Sequence, residues 1–193
     1  TKEEDYVENI FISSTHDDIM FFTNLGRVYR IKGYEIPEAG RTSKGRAIIN
    51  LLQLSSGEKV TATIPVKENS GEGNLIMATK QGLIKKTDVK EFDSIRKVGK
   101  IAIKLNENDE LINVEYSSGD SDILCASSLG KCIRFNENDV RPMGRTAMGV
   151  KSMNLSSDDY IVDMIVIKPN YDILTVTSKG YGKRSSESEY RTQ

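Results

Sequence analysis

Short apolar runs bracketed by polar residues recur through this chain, and one of them returns four times: Asp18-Ile-Met-Phe-Phe-Thr-Asn-Leu-Gly26, Asn74-Leu-Ile-Met-Ala-Thr-Lys-Gln-Gly82, Asp122-Ile-Leu-Cys-Ala-Ser-Ser-Leu-Gly130 and Asp172-Ile-Leu-Thr-Val-Thr-Ser-Lys-Gly180. The closing glycines are 56, 48 and 50 residues apart, and Thr or Ser stands three positions before each. A β-prone run that ends in a polar-x-Gly turn predicts a hairpin, because glycine takes the positive φ of a tight turn without steric cost. The returning strands read at residues 27–31, 83–86, 131–135 and 181–184. A second glycine (Gly45, Gly99, Gly149) follows 19, 17 and 19 residues after the first and opens a further apolar stretch at 47–51, 101–105 and 150–155. After a turn rich in Ser, Gly, Asn and acidic residues, a fourth strand is predicted at 60–64, 111–116 and 161–167.

Four short strands in about 50 residues is the period of a propeller blade, a small sheet that cannot bury both faces alone and stacks on its neighbours. The expected architecture is therefore all-β: a β-propeller-like array of four-stranded blades in one repeat domain, 1–193. The blades are placed near 7–60, 61–110, 111–160 and 161–193, the fourth incomplete because it stops before its second glycine, as in a piece of a longer chain. No stretch sustains a 3.6-residue apolar period, so no α-helix is expected. The apolar runs are too short to cross a bilayer as helices and the N-terminus lacks the pattern of a signal peptide, so no membrane contact is expected and the cytoplasm is the expected location.

Net charge is −1, which speaks against a polyanionic partner until the charges are placed. Residues 26–46, 80–104, 130–151 and 179–193 hold 23 of the 27 basic residues and 9 of the 28 acidic ones, a balance of +14; the remainder carries −15. The position four after the turn glycine is basic in every copy: Arg30, Lys86, Arg134 and Arg184. Equivalent positions of stacked blades face one way, so these cations are expected to form a stripe around one rim. Basic clusters in the loops that follow extend it: Arg41, Lys44 and Arg46; Arg96, Lys97 and Lys100; Arg141 and Arg145. Arg27, Lys32, Lys85, Lys183 and Arg191 complete the candidate set. A stripe of Lys and Arg without interleaved aromatic residues suits duplex phosphates better than stacked single-stranded bases.

Two other classes compete. A propeller-like scaffold could dock an acidic protein partner on the same rim. Catalysis has little to draw on: one histidine, His16, two cysteines, Cys125 and Cys132, and no paired carboxylates at matched places in the repeats, so no catalytic residue, metal or cofactor is expected. The cysteines stand where other repeats place mainly apolar residues such as Phe21, Met77, Val28 and Ile84, and read as packing positions.

The run Phe21-Phe-Thr-Asn-Leu-Gly-Arg-Val-Tyr-Arg-Ile31, followed by Tyr34-Glu-Ile-Pro-Glu38 and Arg41-Thr-Ser-Lys-Gly-Arg-Ala47, resembles one blade of the C-terminal domain of the bacterial DNA gyrase A subunit. The resemblance covers nearly all of 7–193, and the Phe-Phe-Thr-Asn-x-Gly-Arg-Val-Tyr string favours gyrase over the related subunit of topoisomerase IV. It implies a β-pinwheel, a propeller relative whose blades exchange strands. It also implies a basic outer edge that binds and wraps double-stranded DNA in support of negative supercoiling. The partners implied are the rest of the gyrase A subunit, in dimeric form, and the gyrase B subunit, with the bacterial nucleoid as their setting. Cleavage and ATP hydrolysis in that family lie outside this domain, so the chain itself is expected to be non-catalytic. The family's Gln-basic-basic-Gly-Gly-basic-Gly box is missing; residues 41–46 and 145–149 occupy the corresponding loop, which matches the repeats to the second blade onward.

Overall fold

The computed structural model describes residues 6–67, 71–95 and 97–193. In chain order the strands are β1 (Asp18–Thr23), β2 (Arg27–Lys32), β3 (Val60–Val66), β4 (Asn74–Thr79), β5 (Leu83–Asp88), β6 (Lys100–Ile101), β7 (Leu111–Ser117), β8 (Asp122–Ser127), β9 (Cys132–Asn136), β10 (Val150–Lys151), β11 (Ile161–Val166), β12 (Asp172–Val176) and β13 (Gly182–Ser186). The four repeated motifs are the antiparallel hairpins β1–β2, β4–β5, β8–β9 and β12–β13. Their turn glycines, Gly26, Gly82, Gly130 and Gly180, all have φ between 69° and 89°, as a tight turn requires.

Strands β3, β7 and β11 fold back onto β1, β4 and β8 of their own repeats. The remaining strand leaves its repeat. β6, which follows Gly99 in the second repeat, pairs with β2 of the first, and β10, which follows Gly149 in the third, pairs with β5 of the second. The sheets are thus β3-β1-β2-β6, β10-β5-β4-β7, β11-β8-β9 and β12-β13, and the all-β fold is a β-pinwheel with exchanged strands. A blade is therefore not one contiguous segment. The limits drawn at 60/61, 110/111 and 160/161 separate β3, β7 and β11 from the hairpins they pair with, whereas pairing runs the first sheet over 18–32, 60–66 and 100–101.

The exchanged strands are shorter than the apolar stretches that predict them. Beyond Ile101 the N–H groups of Ala102 and Ile103 turn to the Gly26 carbonyl, and beyond Lys151 the Ser152 N–H turns to that of Gly82, so each segment caps a hairpin turn of the preceding blade. Residues 47–51 are no strand at all. Among the described residues no earlier hairpin offers them an edge; Ile48–Asn50 forms a 3-10 turn, and Leu51, Leu52 and Leu54 cover the open face of the first blade over Ile19, Phe21, Tyr29 and Ile31.

The cores lie between blades. Met20, Phe22 and Val28 of the first sheet meet Leu75 and Met77 of the second with Phe92, Ile95, Ile103, Leu111 and Val114, and the Phe22 and Phe92 rings pack edge-on at 5.9 Å. Ile76, Ala78 and Ile84 meet Ile123, Cys125, Phe135, Ile161 and Met164 of the third. Each such side chain contributes about 1.5–3 kcal/mol on leaving water, so these layers stack the blades. Strands β3, β7 and β11 run beside one another, which puts the exchanged β6 and β10, at the opposite edge of their sheets, on the perimeter.

The Thr or Ser three before each turn glycine closes the turn. Its hydroxyl accepts the N–H four residues on, from Arg27, Leu83, Lys131 and Tyr181 at 3.4, 3.1, 3.3 and 3.2 Å. Thr23 and Ser127 in turn donate to the buried carboxylates of Glu58 (2.7 Å) and Asp159 (2.9 Å). Part of the acidic charge read as surface loops is therefore inside the fold.

Candidate nucleic-acid interface

The cations locked to the hairpin register do not form an open stripe. Position four after the turn glycine shares a strand face with position two, where Val28 and Ile84 stand, and that face packs on the next blade. Arg30 is held by Asp18 (2.6 Å), Asp93 (3.2 Å) and the Phe92 carbonyl (3.0 Å). Lys86 is buried and donates to the Glu137 carbonyl at 2.7 Å. Arg134 is bound by Asp122 (2.8 Å), by the Glu187 carboxylate (2.9 Å) and by the carbonyls of Glu187 and Tyr190. Arg184, the fourth member, is exposed and pairs with Asp172 at 3.2 Å. These side chains satisfy one another across blade junctions, so for Arg30, Lys86 and Arg134 the expected rim position is corrected.

Four more of the expected residues are structural in the same sense. Lys85 is fully buried with its ammonium on the carbonyls of Ala102 (2.7 Å) and Arg145 (2.5 Å). Burial, with the positive charge of Arg145, lowers its pKa to about 7. Arg27 clamps the exchanged segment: it donates to the Gly99 carbonyl (2.9 Å) and to Ser55 (3.2 Å) and lies over the Tyr29 ring. Lys32 reaches the His16 carbonyl and Asp18, and half-buried Arg145 donates to the Ile101 carbonyl on β6. Burial opposes ionisation of Asp18, but its hydrogen bonds to Arg30 and Lys32 outweigh this and hold the carboxyl below the usual carboxylate range.

The loop clusters remain outside. Arg41, Lys44, Arg46, Arg141 and Arg191 are exposed and pair with no carboxylate among the described residues. Lys100 is exposed on β6 with only a long contact, 3.5 Å, to the Ser94 carbonyl. Arg46 and Lys100 each stand one residue after a second glycine, at equivalent points of consecutive connecting segments. Lys97 is half-exposed and bridges to Glu35 at 2.8 Å; Lys183 is exposed and lies 3.6 Å from Glu189. Arg96 lies outside the described residues.

Two exposed lysines escaped the sequence reading. Lys151 on β10 and Lys131 beside β9 line a shallow groove with Cys132, Ser152 and Asn154. Lys131 is one residue after a turn glycine, the place of Arg27 in the first repeat, and Lys151 is two after a second glycine; the repeat alignment contained that signal. The exchanged outer strands and the loops after the hairpins thus carry exposed cations with no carboxylate partner among the described residues, while Glu58, Asp109, Glu137 and Asp159 are buried among hydroxyl and amide donors.

A model of the family described as DNA gyrase C-terminal domain, beta-propeller, matches residues 17–67, 73–118, 121–168 and 171–193. The DNA gyrase A subunit of Clostridium acetobutylicum is 53% identical over 193 residues, 100% of this chain and 23% of that protein. The DNA gyrase A subunit of Escherichia coli (strain K12) is 44% identical over 192 residues, 100% of this chain and 22% of that protein. The chain spans less than a quarter of the length of these curated relatives. Among solved structures, the C-terminal domain of DNA topoisomerase IV superposes with a TM-score of 0.85 at 27% identity, covering 93% of this chain and 56% of that one. The DNA gyrase A C-terminal domain superposes with a TM-score of 0.78 at 30% identity, covering 93% and 58%. With a matching family model over most of its length and relatives 44% and 53% identical over all of it, the chain belongs to the DNA gyrase C-terminal domain, beta-propeller, family.

Proposed function

We propose that this chain binds double-stranded DNA along its perimeter and bends it there, as the wrapping module of a gyrase A subunit that promotes negative supercoiling. The observation that carries this is the sorting of charge. Lys100, Arg141 and Lys151 are exposed on the outer strands or the segments leading to them, and Arg41, Lys44 and Arg46 are exposed on the connecting loop of the first repeat, whereas Asp18, Glu58, Asp109, Glu137 and Asp159 are buried inside the fold. Several phosphates would be engaged per blade without reading bases, so recognition follows backbone and deformability. Bending a short site through tens of degrees costs of order 1–6 kcal/mol, which such contacts must offset. Full supercoiling requires what this reading places in the rest of the enzyme: the remainder of the gyrase A subunit, in dimeric form, and the gyrase B subunit, in the bacterial cytoplasm at the nucleoid.

Fluorescence anisotropy with a duplex and with the matching single strand, titrated against salt, tests it. The duplex is expected to bind more tightly, with log K falling linearly in log salt by about 0.9 for each phosphate neutralised. A salt-independent affinity, or none at low salt, would reject the reading.

A further inference from the structure

Three cations that the proposed perimeter does not use occupy one recurring place between blades. In every case the acceptor is the 3-10 turn of the next repeat or the residue that ends it: Phe92 and Asp93 for Arg30, Glu137 for Lys86, Glu187 and Tyr190 for Arg134. At two junctions the main chain of the same residue is engaged as well. The Lys86 carbonyl accepts the Met143 N–H at 2.8 Å and the Arg134 carbonyl accepts the Gln193 N–H at 2.9 Å, beside the isolated parallel bridges Lys86–Pro142 and Arg134–Thr192. At the first junction the equivalent amide, that of Ile95, goes to Phe92 within its own turn at 3.1 Å. There the directional links at this end of the blades, among the described residues, are side chains: Arg30 on Phe92 and Asp93, and Lys97 on Glu35 at 2.8 Å.

The exchanged strands tie the blades by main-chain hydrogen bonds near the hairpin turns, and the apolar layers add contact that is non-directional, so the angle also depends on the links at the opposite end. Charge-assisted hydrogen bonds to main-chain carbonyls are directional. We propose that Arg30, Lys86 and Arg134 are positioning residues that set the angle between consecutive blades, and that the first junction depends on its side chain in a way the other two do not. The consequence for DNA curvature rests on the perimeter reading given above; the angle itself does not.

The repeats contain their own control for chemistry. In the second blade Asn74 replaces the Asp found at 18 and 122, Lys86 replaces Arg, and the carboxylate that balances it, Glu137, comes from the next repeat at 4.0 Å. Lysine therefore suffices for the carbonyl contact, and Arg30→Lys is a rescue variant.

The test places spin labels at exposed positions 56 and 157, in the first and third repeats, after Cys132→Ser removes the exposed thiol. Arg30→Met is expected to widen the distance distribution about twofold without DNA, as expected of a loosened inter-blade hinge. Arg30→Lys is expected to restore it, and Arg134→Met, which acts beyond the labelled blades, to leave it unchanged. The double variant Asp18→Asn/Arg30→Met carries no buried unpaired acid and is measured beside it, so that a fold lost in the single variant does not decide the result. A wild-type width in both Arg30→Met chains overturns the proposal.

With DNA, a duplex of ~12 base pairs needs no bend and should bind Arg30→Met as it binds the wild type, whereas one of ~40 base pairs should lose about tenfold, the equivalent of part of the bending cost. Equal losses on both would mean that Arg30 touches phosphate, and would overturn its positioning role. If the wild type binds neither duplex, the perimeter reading falls, and the label distances still decide the blade angle.

Discussion

Gly99 lies so close to the face of Tyr29 that a β-carbon there would stand 2.4 Å from the ring Cζ. The contact joins an exchanged segment of the second repeat to the first hairpin, and Arg27 seals it through the Gly99 carbonyl. Gly149 makes the corresponding approach to Ile84, where a β-carbon would meet the carbonyl oxygen at 2.6 Å with φ at +100°. Gly45, their sequence equivalent, has open space around it because its segment is not exchanged. Gly99→Ala and Gly149→Ala are therefore expected to cost about 1–3 kcal/mol each, and Gly45→Ala to stay within about 0.5 kcal/mol of wild type, by urea denaturation.

Lys85 predicts an unusual alkaline limb. Its folded pKa, about 7, lies below the ordinary lysine value. The folded state therefore disfavours the proton that the unfolded chain retains, and stability rises with pH above 7 until the unfolded amine also titrates. Between pH 7 and pH 9 the gain should be about 2 kcal/mol. Lys85→Met, measured by denaturant midpoint at both values, should abolish the rise while costing stability at both, because the carbonyls of Ala102 and Arg145 lose their donor.

The acid limb runs the other way. Burial opposes ionisation of Glu58, and donation from the Ser55 N–H, Thr23 and Tyr29, with nearby Arg27, outweighs it, leaving the carboxyl below its usual range. A depressed folded pKa contributes stability that is present above the unfolded value and is lost as pH falls through the folded one. Glu58→Gln should therefore lower stability at pH 7 by about 1–3 kcal/mol and flatten its fall below about pH 4.

The two thiols should behave as opposites. Cys125 is fully buried in the layer between the second and third blades, and burial pushes its thiol up to about 12. Cys132 is exposed at the free edge of β9. Ellman's reagent should react with one thiol per native chain and with both only after denaturation; two fast thiols in the native state would contradict this core.

The hairpins and the strands that close them were legible because their cues are local: a turn glycine with positive φ and an apolar run of the right length. Strand exchange was not, since nothing in residues 99–105 says whose edge they join; pairing is decided by a hairpin some 70 residues earlier. The error over Arg30, Lys86 and Arg134 is different in kind. Period-two alternation already put them on the face of Val28 and Ile84, and a cation repeated in register beside Asp18 and Asp122 reads equally well as a junction. Thr23 and Ser127 had visible partners too, in the acids that precede the closing strands at Glu58 and Asp159. Loop cations such as Arg41 and Arg46 were legible as clusters because no carboxylate stands among them.

Reversing the perimeter charges while leaving the junctions intact tests the account most directly. Arg41→Glu/Lys44→Glu/Arg46→Glu/Lys100→Glu in one chain should keep the wild-type thermal midpoint, lose duplex affinity at least about tenfold, and reduce the log–log salt slope by about 0.9 for each contact removed. Wild-type affinity with an unchanged slope in that chain would contradict a DNA-binding perimeter.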